Sequence, residues 1–345
     1  MKKLTDLSWN VSEEEYRQDN SYSYSMLAKF NREGFENLDK LFDKISTPSL
    51  TFGSIVDCLL TDEQNFENRF VVCGNNDLSD TLKNITIKLY SNYGNTYNDL
   101  DDFPNNILAE TGKELGYYTD DKFINTRIKK IKDNCKEYYS FLKNSNGKTV
   151  ISESDYRDAF KCREVLKDNN ATKNLFNIDP FSDIEIFYQL KFKSNYKDIP
   201  VRCMFDGLYV DHKNKVIIPF DLKTTRHKEY NFYKSFIEYN YYIQAQLYWY
   251  ILNENLKNDD YYKDFTIKNF VFVVINRYNL LPTIWEFDNT KSVIGLYYGK
   301  NNEIYLKNWR PILEELHYYL QHPDNKYPIG FNTYNRLDEI LNIMY

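Results

Sequence analysis

The sequence predicts an α/β (α+β) fold, with a central mixed sheet flanked by helices and further helices at the N-terminus and in the middle. Three observations predict it. Apolar residues recur at helical spacing through residues 20–60 and 120–170. From about residue 183 the pattern changes to short β-branched and aromatic runs separated by polar turns. Helical spacing then returns after residue 230. The changes in pattern divide the chain into N-terminal helices belonging to the core (1–70), a mostly helical insertion (71–178) and a strand-rich core with C-terminal helices (179–345).

Ser21 to Phe30 is a serine-led helix start, because a serine oxygen can accept from the unpaired N–H groups of a first turn. Leu27 and Phe30 share a face, and the helix stops near Asn31–Gly34. Ser49–Leu60 is a second helix, apolar at Phe52, Ile55, Val56, Leu59 and Leu60. Its exceptions, Gly53 and Asp57, lie four apart on a common face. Residues 74–112 are rich in Asn, Asp and Tyr and predict loops with short helices. Ile124, Ile128 and Ile131, then Tyr156, Phe160, Val165 and Leu166, predict helices over 120–170.

Ile184–Tyr188 is a strand interrupted by Glu185. Val201–Val210 and Val216–Thr225, around the polar turn 211–215, form a hairpin. Pro219 predicts a bulge or an edge segment. A long helix follows over 231–254, then strands at Phe270–Ile275 and Thr283–Phe287. Residues 293–320 predict a helix broken around Pro311, and Tyr327–Phe331 a docked extended tail.

The 345 residues carry a net charge of −6, which argues against wholesale coating of nucleic acid but leaves room for a local basic groove. The 32 Tyr and 23 Phe accompany abundant Asn and Lys, a bias that keeps each Tyr from counting as a stacking platform. No run reaches the roughly 20 apolar residues that span a bilayer, and Met1–Asp6 lacks a signal peptide's apolar core. Five scattered cysteines without a CxxC predict a reducing compartment and argue against a zinc knuckle or a cysteine-held iron–sulfur cluster.

The chemistry centres on Asp221-Leu222-Lys223. In a strand, residues two apart share a face, so Asp221 and Lys223 project side by side. Asp206 lies on the partner strand, and Glu185 on the strand before it. Converging carboxylates repel, and a hard divalent cation such as Mg²⁺ relieves them. Such an ion activates water and offsets charge on a phosphodiester, while a lysine stabilises the transition state. The expected reaction is metal-assisted phosphodiester hydrolysis. The bland reading of Asp221 and Lys223 is a surface salt bridge worth roughly 0–1 kcal/mol, and that of Asp57 a solvated helix residue.

Phe205-Asp206, Asp221-Leu222-Lys223 and the upstream Glu185 resemble the PD-(D/E)XK nuclease superfamily. Gln244-Ala245-Gln246-Leu247-Tyr248 resembles the Gln-x-x-x-Tyr motif of its RecB and lambda-exonuclease branch, and Tyr22–Phe30 resembles that branch's N-terminal helix. Phe52–Leu60 resembles the Gly-x-x-x-His helix of the exonuclease VIII (RecE-like) group, with Asp57 where that group has histidine. Phe205 stands at the family's proline. The resemblance covers roughly residues 20–70 and 180–330.

The resemblance implies a restriction-endonuclease-like core and a Mg²⁺- or Mn²⁺-dependent DNA exonuclease. Asp206, Asp221, Glu185 and Asp57 would surround the metal, and Lys223 would be the catalytic lysine. Gln244 and Tyr248 would line the site beside DNA; apart from the resemblance, Thr224, Thr225 and Arg202 are further candidate substrate contacts. It also implies duplex DNA ends as substrate, 5′ to 3′ polarity, and 3′ single strands left for recombination or repair. A single-strand annealing or recombination protein as partner, a homo-oligomer, a phage or prophage origin and the cytoplasm of a bacterial or phage-infected cell follow from the same likeness. Two alternatives stay open: a weakened nuclease-fold module that binds DNA or protein, and an endonuclease with the same site.

Overall fold

The computed structural model describes residues 3–34, 38–41, 47–74, 78–145, 147–179, 181–290, 293–295 and 303–322. The N-terminal part contains α1 (Glu13–Gln18), α2 (Tyr24–Glu33), α3 (Pro48–Thr61), α4 (Phe66–Arg69), β1 (Phe70–Cys73), α5 (Asp80–Tyr93), α6 (Asn105–Glu114), α7 (Ile124–Asn144), β2 (Thr149–Ser152), α8 (Glu153–Asp168) and α9 (Lys173–Phe176). The strand-rich part runs β3 (Ile184–Tyr188), β4 (Lys191–Tyr196), β5 (Ile199–Met204), β6 (Gly207–Asp211), β7 (Val216–Thr225), α10 (Phe232–Glu238), α11 (Tyr241–Leu256), β8 (Thr266–Ile267), β9 (Phe270–Asn276) and β10 (Pro282–Phe287). It closes with β11 (Val293–Gly295), β12 (Glu303–Tyr305) and α12 (Trp309–Gln321).

The fold is α/β with a mixed central sheet. Its strand order is β10-β9-β7-β6-β3, and β8 lies beside the start of β7. The β7–β9 pairing is parallel and the others along that path are antiparallel. One face carries Leu208, Val210, Ile217, Phe270 and Phe272 against α2, α11 and α12. The other carries Phe220, Val273 and Ile275 against α3 and α8. The alternation of β7 does this: its odd residues face α11 and its even residues face α3. Each large apolar side chain so enclosed contributes about 1.5–3 kcal/mol of burial. Helices α5, α6 and α7 enclose a third cluster around Leu82, Ile85, Ile131 and Tyr139.

The α2 boundaries agree with expectation, ending at Gly34 with φ 66°. Ser23 occupies the N-cap, yet its Oγ lies 2.9 Å from Ser25 Oγ and bonds no first-turn N–H. The loops expected over 74–112 are corrected to two substantial helices, α5 and α6. The expected strand Val201–Val210 is split at Phe205-Asp206, where β5 leaves to pair with β4 and β6 begins the hairpin with β7. Pro219 is neither on an edge strand nor at the sheet's rim: β7 is central, and Pro219 falls between its β8 pairing at Val216–Ile217 and its β9 pairing from Phe220. No ladder partner on that side is lost to its missing N–H.

The helix expected over 231–254 is two helices, broken by Asn240 in the left-handed region (φ 54°). Residues 293–320 are corrected from one broken helix to a short antiparallel pair, β11–β12, followed by α12. Pro311 sits in the first turn of α12, where no intrahelical N–H bond is lost. The expected tail segment at Tyr327–Phe331 lies outside the described residues. Among the described residues, no helix is long and apolar enough to cross a membrane.

Candidate active site

The central opening is built by strand register. β6 begins at Gly207, opposite Phe220, so Asp221–Thr225 have β9 on one edge and no β6 neighbour on the other. Asp206 stands where that neighbour would continue. Its Oδ2 accepts from the Leu222 backbone N–H at 2.8 Å, taking a donor that the shortened strand leaves unpaired.

Asp221 is buried and Lys223 half-buried. Lys223 Nζ pairs with Asp221 Oδ1 and lies 4.7 Å from the centre of the Tyr241 ring. Gln244 Nε2 donates to Asp221 Oδ2. Helix α11 supplies both groups. Its residues Tyr242–Tyr248 are all buried, so a polar residue among them needs a partner. Gln244 Oε1 has none among the described residues, though it is buried. Tyr248, one turn further, packs edge-on against Phe205 at 5.2 Å and Phe270 at 6.1 Å.

Asp57 reaches the same opening from α3. Gln189 Nε2 donates to its Oδ1 at 3.1 Å and its Oδ2 at 3.0 Å. Gln189 follows β3 with a left-handed backbone (φ 56°) that turns it out of the strand. Burial drives the Asp57 carboxyl up to about 7, opposed by Arg69 and reinforced by the charges of Asp221 and Glu13. Burial, then Asp221 and Asp57, push the Asp206 carboxyl well above the usual range. Burial alone would pull Lys223 down, but Asp221, Tyr241 and Asp206 hold it above the ordinary lysine range, so it stays cationic.

The structure therefore brings Asp57, Asp206, Asp221, Lys223 and Gln244 together. It does not bring Glu185 with them. Glu185 pairs with Val210, which pairs with Ile217, four residues before Asp221. That is about 13 Å along the strand. Glu185 Oε2 lies 2.9 Å from His212 Nε2, and His212 Nδ1 lies 3.0 Å from the Tyr261 hydroxyl. The residue from this strand region that reaches the opening is Gln189.

Arg202 is also elsewhere. It is buried, donates through Nη1 to Ser21 O at 2.5 Å and to Asp19 O, and lies 5.1 Å from the Tyr16 ring centre. These bonds pin the N-terminal segment. Thr225 Oγ1 accepts from His227 N at 3.0 Å, closing the turn after β7. Thr224 faces α3, close to Gly53, where an added Cβ would stand 3.4 Å from Thr224 Oγ1. Sequence reasoning missed Gln189, Arg69 and Tyr241. Tyr241 had a signal, since it lies three residues before Gln244 on the face that also carries Tyr248.

The donor chemistry fits a hard divalent cation. Carboxylates that raise one another's proton affinity and an orphaned amide oxygen mark a place that favours added positive charge. Asp206 and Asp221 are the residues that could hold it, with Asp57 behind them. Among the described residues no group of three or more His, Cys, Asp or Glu side chains is spaced to hold an ion. Mg²⁺ is commonly bound through one or two carboxylates, with water and substrate phosphate completing the shell.

No protein-family model matches the chain, and no curated protein matches its sequence. Among solved structures, it is similar to the crystal structure of a "Putative exonuclease" from Eubacterium rectale. The TM-score is 0.40 at 11% identity, over 92% of this chain and 86% of that one.

Proposed function

We propose that the protein is a metal-dependent deoxyribonuclease that hydrolyses phosphodiester bonds at the ends of duplex DNA. The observation that carries this reading is the meeting of Asp206, Asp221 and Lys223 at the open end of β7, with Gln244 bonded to Asp221. A bound Mg²⁺ or Mn²⁺ would supply Lewis acidity and a more acidic water. Asp221 and Asp206 would hold it. Gln244 fixes the Asp221 carboxylate. Lys223, kept protonated by its neighbours, stands ready to stabilise charge on phosphate oxygens, an interaction that strengthens as that charge develops.

The sequence resemblance extends the proposal to 5′ to 3′ exonuclease action that leaves 3′ single strands for recombination or repair. It also supports a phage or prophage setting in the bacterial cytoplasm, an annealing protein as partner and a homo-oligomeric assembly. A second reading, a nuclease-like module that binds without cutting, is favoured by the Lys223 ammonium lying on Asp221 and by Asp57 at the family's histidine position.

End-labelled linear duplex, incubated with Mg²⁺ or Mn²⁺, tests the proposal. The wild type shortens it, and Lys223→Ala or Asp221→Asn lowers the rate by about 10²–10³. Closed circular duplex should resist, which separates end-dependent action from an endonuclease. A wild type that cuts neither substrate with either metal ends the hydrolytic reading in favour of the binding module.

A further inference from the structure

We propose that the loops following β7 and β9 form a rim that binds an unpaired stretch of nucleic acid, stacking its bases on Tyr230 and Tyr278 and holding its phosphates with Arg226 and Lys228. This deepens the nuclease reading by assigning a place for single-stranded substrate or product beside the opening. Tyr278 and Tyr230 are the most exposed tyrosines among the described residues, at 68% and 67%. In a chain whose tyrosines are mostly buried or half-buried, both lie at one end of one sheet.

The two loops are neighbours because β7 and β9 run parallel and end together, Thr225 opposite Asn276. They are also tied side by side. Asn276 Nδ2 donates to His227 O at 2.6 Å, and Asn279 Nδ2 donates to Glu229 Oε1. The platform is thus fixed before any ligand arrives, which lowers the ordering cost of binding.

Arg226 and Lys228 are exposed and form no ion pair among the described residues, while Glu229 between the loops is taken up by Asn279. On a chain of net charge −6 these cations stand out as a local polyanion contact. Arg226 follows Lys223 by three residues, about 10 Å of extended chain, so the rim lies beside the opening. A π-face beside unpaired cations is the pairing that unstacked bases and their phosphates recognise, whereas a duplex keeps its bases out of reach.

The test is fluorescence anisotropy in EDTA with a labelled oligothymidine of about 12 nucleotides and with an abasic oligomer of equal length. Wild type, Tyr230→Ala/Tyr278→Ala, Arg226→Ala/Lys228→Ala and the remote control Tyr318→Ala are compared, each with a melting curve. The tyrosine pair should weaken oligothymidine binding by at least about 30-fold and leave the abasic oligomer unaffected. The basic pair should weaken both ligands and flatten the salt dependence by about 1.4 in log–log slope. Wild-type failure to bind oligothymidine, unchanged affinity in the variants, or equal loss of the abasic oligomer in the tyrosine variant overturns the rim and points to a protein partner for this surface. Wild type that binds as expected but never cleaves DNA leaves the rim standing and removes the nuclease reading. Wild type that cleaves, with rim variants binding normally, removes the rim alone.

Discussion

Gln189 donates to both carboxylate oxygens of Asp57, across the opening between the end of β3 and helix α3. This contact joins the two layers that flank the candidate site. It also restrains a charge that burial and Asp221 disfavour. Gln189→Ala removes both hydrogen bonds and frees the carboxylate to rotate. The expected result is a 10- to 100-fold loss of cleavage rate, roughly what removal of an orienting neighbour costs at metal sites, with a small change in melting temperature. Cleavage of labelled duplex at fixed Mg²⁺ checks it. An unchanged rate would show that Asp57 needs no such restraint.

Asp57 should also leave a signature in stability. Its carboxyl is raised from 3.8 to about 7 in the folded chain, so between those values the folded state binds more protons than the unfolded one. Stability then falls as pH rises through that window and levels off above it. Asp206, raised in the same direction, adds to the fall. Asp57→Asn removes the Asp57 share. Without divalent cations, the variant should be about 1–4 kcal/mol more stable than wild type at pH 8 and little different at pH 4. Urea unfolding at several pH values measures this. Parallel pH profiles for the two proteins would contradict the assignment.

Much of this site was legible because strands and helices repeat with fixed periods. Asp221 and Lys223 two apart on a β-branched run had to share a face, and Gln244 and Tyr248 four apart had to share another. Strand register was not legible. Glu185 and Gln189 bracket the same strand, and nothing in their spelling says which end meets Asp221. His212, in the hairpin turn, meets the Glu185 carboxylate instead. Gln189 carries no charge, so a search for carboxylates passes over it, and its role depends on a left-handed backbone seen only in the fold. In α5 the buried positions Leu82, Ile85, Thr86 and Leu89 do repeat helically, but a threonine in the stripe and the surrounding Asn, Lys and Tyr obscured it.

Gly207 sets where β6 starts, and so how wide the opening is. A Cβ there would fall within the ring of Phe220, its cross-strand neighbour. Phe220 is fully buried and packs edge-on against Phe176 at 6.1 Å, so it has little room to retreat. Gly207→Ala should destabilise the fold by about 1–3 kcal/mol or more. Pairing it with Phe220→Leu should recover part of that loss, because the two sites share one volume. Urea midpoints of the four proteins test it, and additive losses would place the clash elsewhere.

Arg202 separates a structural cation from a substrate contact. Its guanidinium is enclosed by Ser21, Asp19 and the Tyr16 ring, and Lys193 Nζ meets the same Asp19 carboxylate at 2.8 Å. These contacts hold residues 16–22 against β5, whose Val201 also bridges Tyr22. Arg202→Met should cost about 1–3 kcal/mol, because the Ser21 and Asp19 carbonyls lose a buried donor. It should also open the N-terminal segment to limited proteolysis. Were Arg202 instead a phosphate contact, the variant would keep its stability and its DNA affinity would lose about 0.9 from the log–log salt slope. Measuring melting, proteolysis and salt-dependent binding on the one variant decides between them, since an arginine only 6% exposed is out of a phosphate's reach.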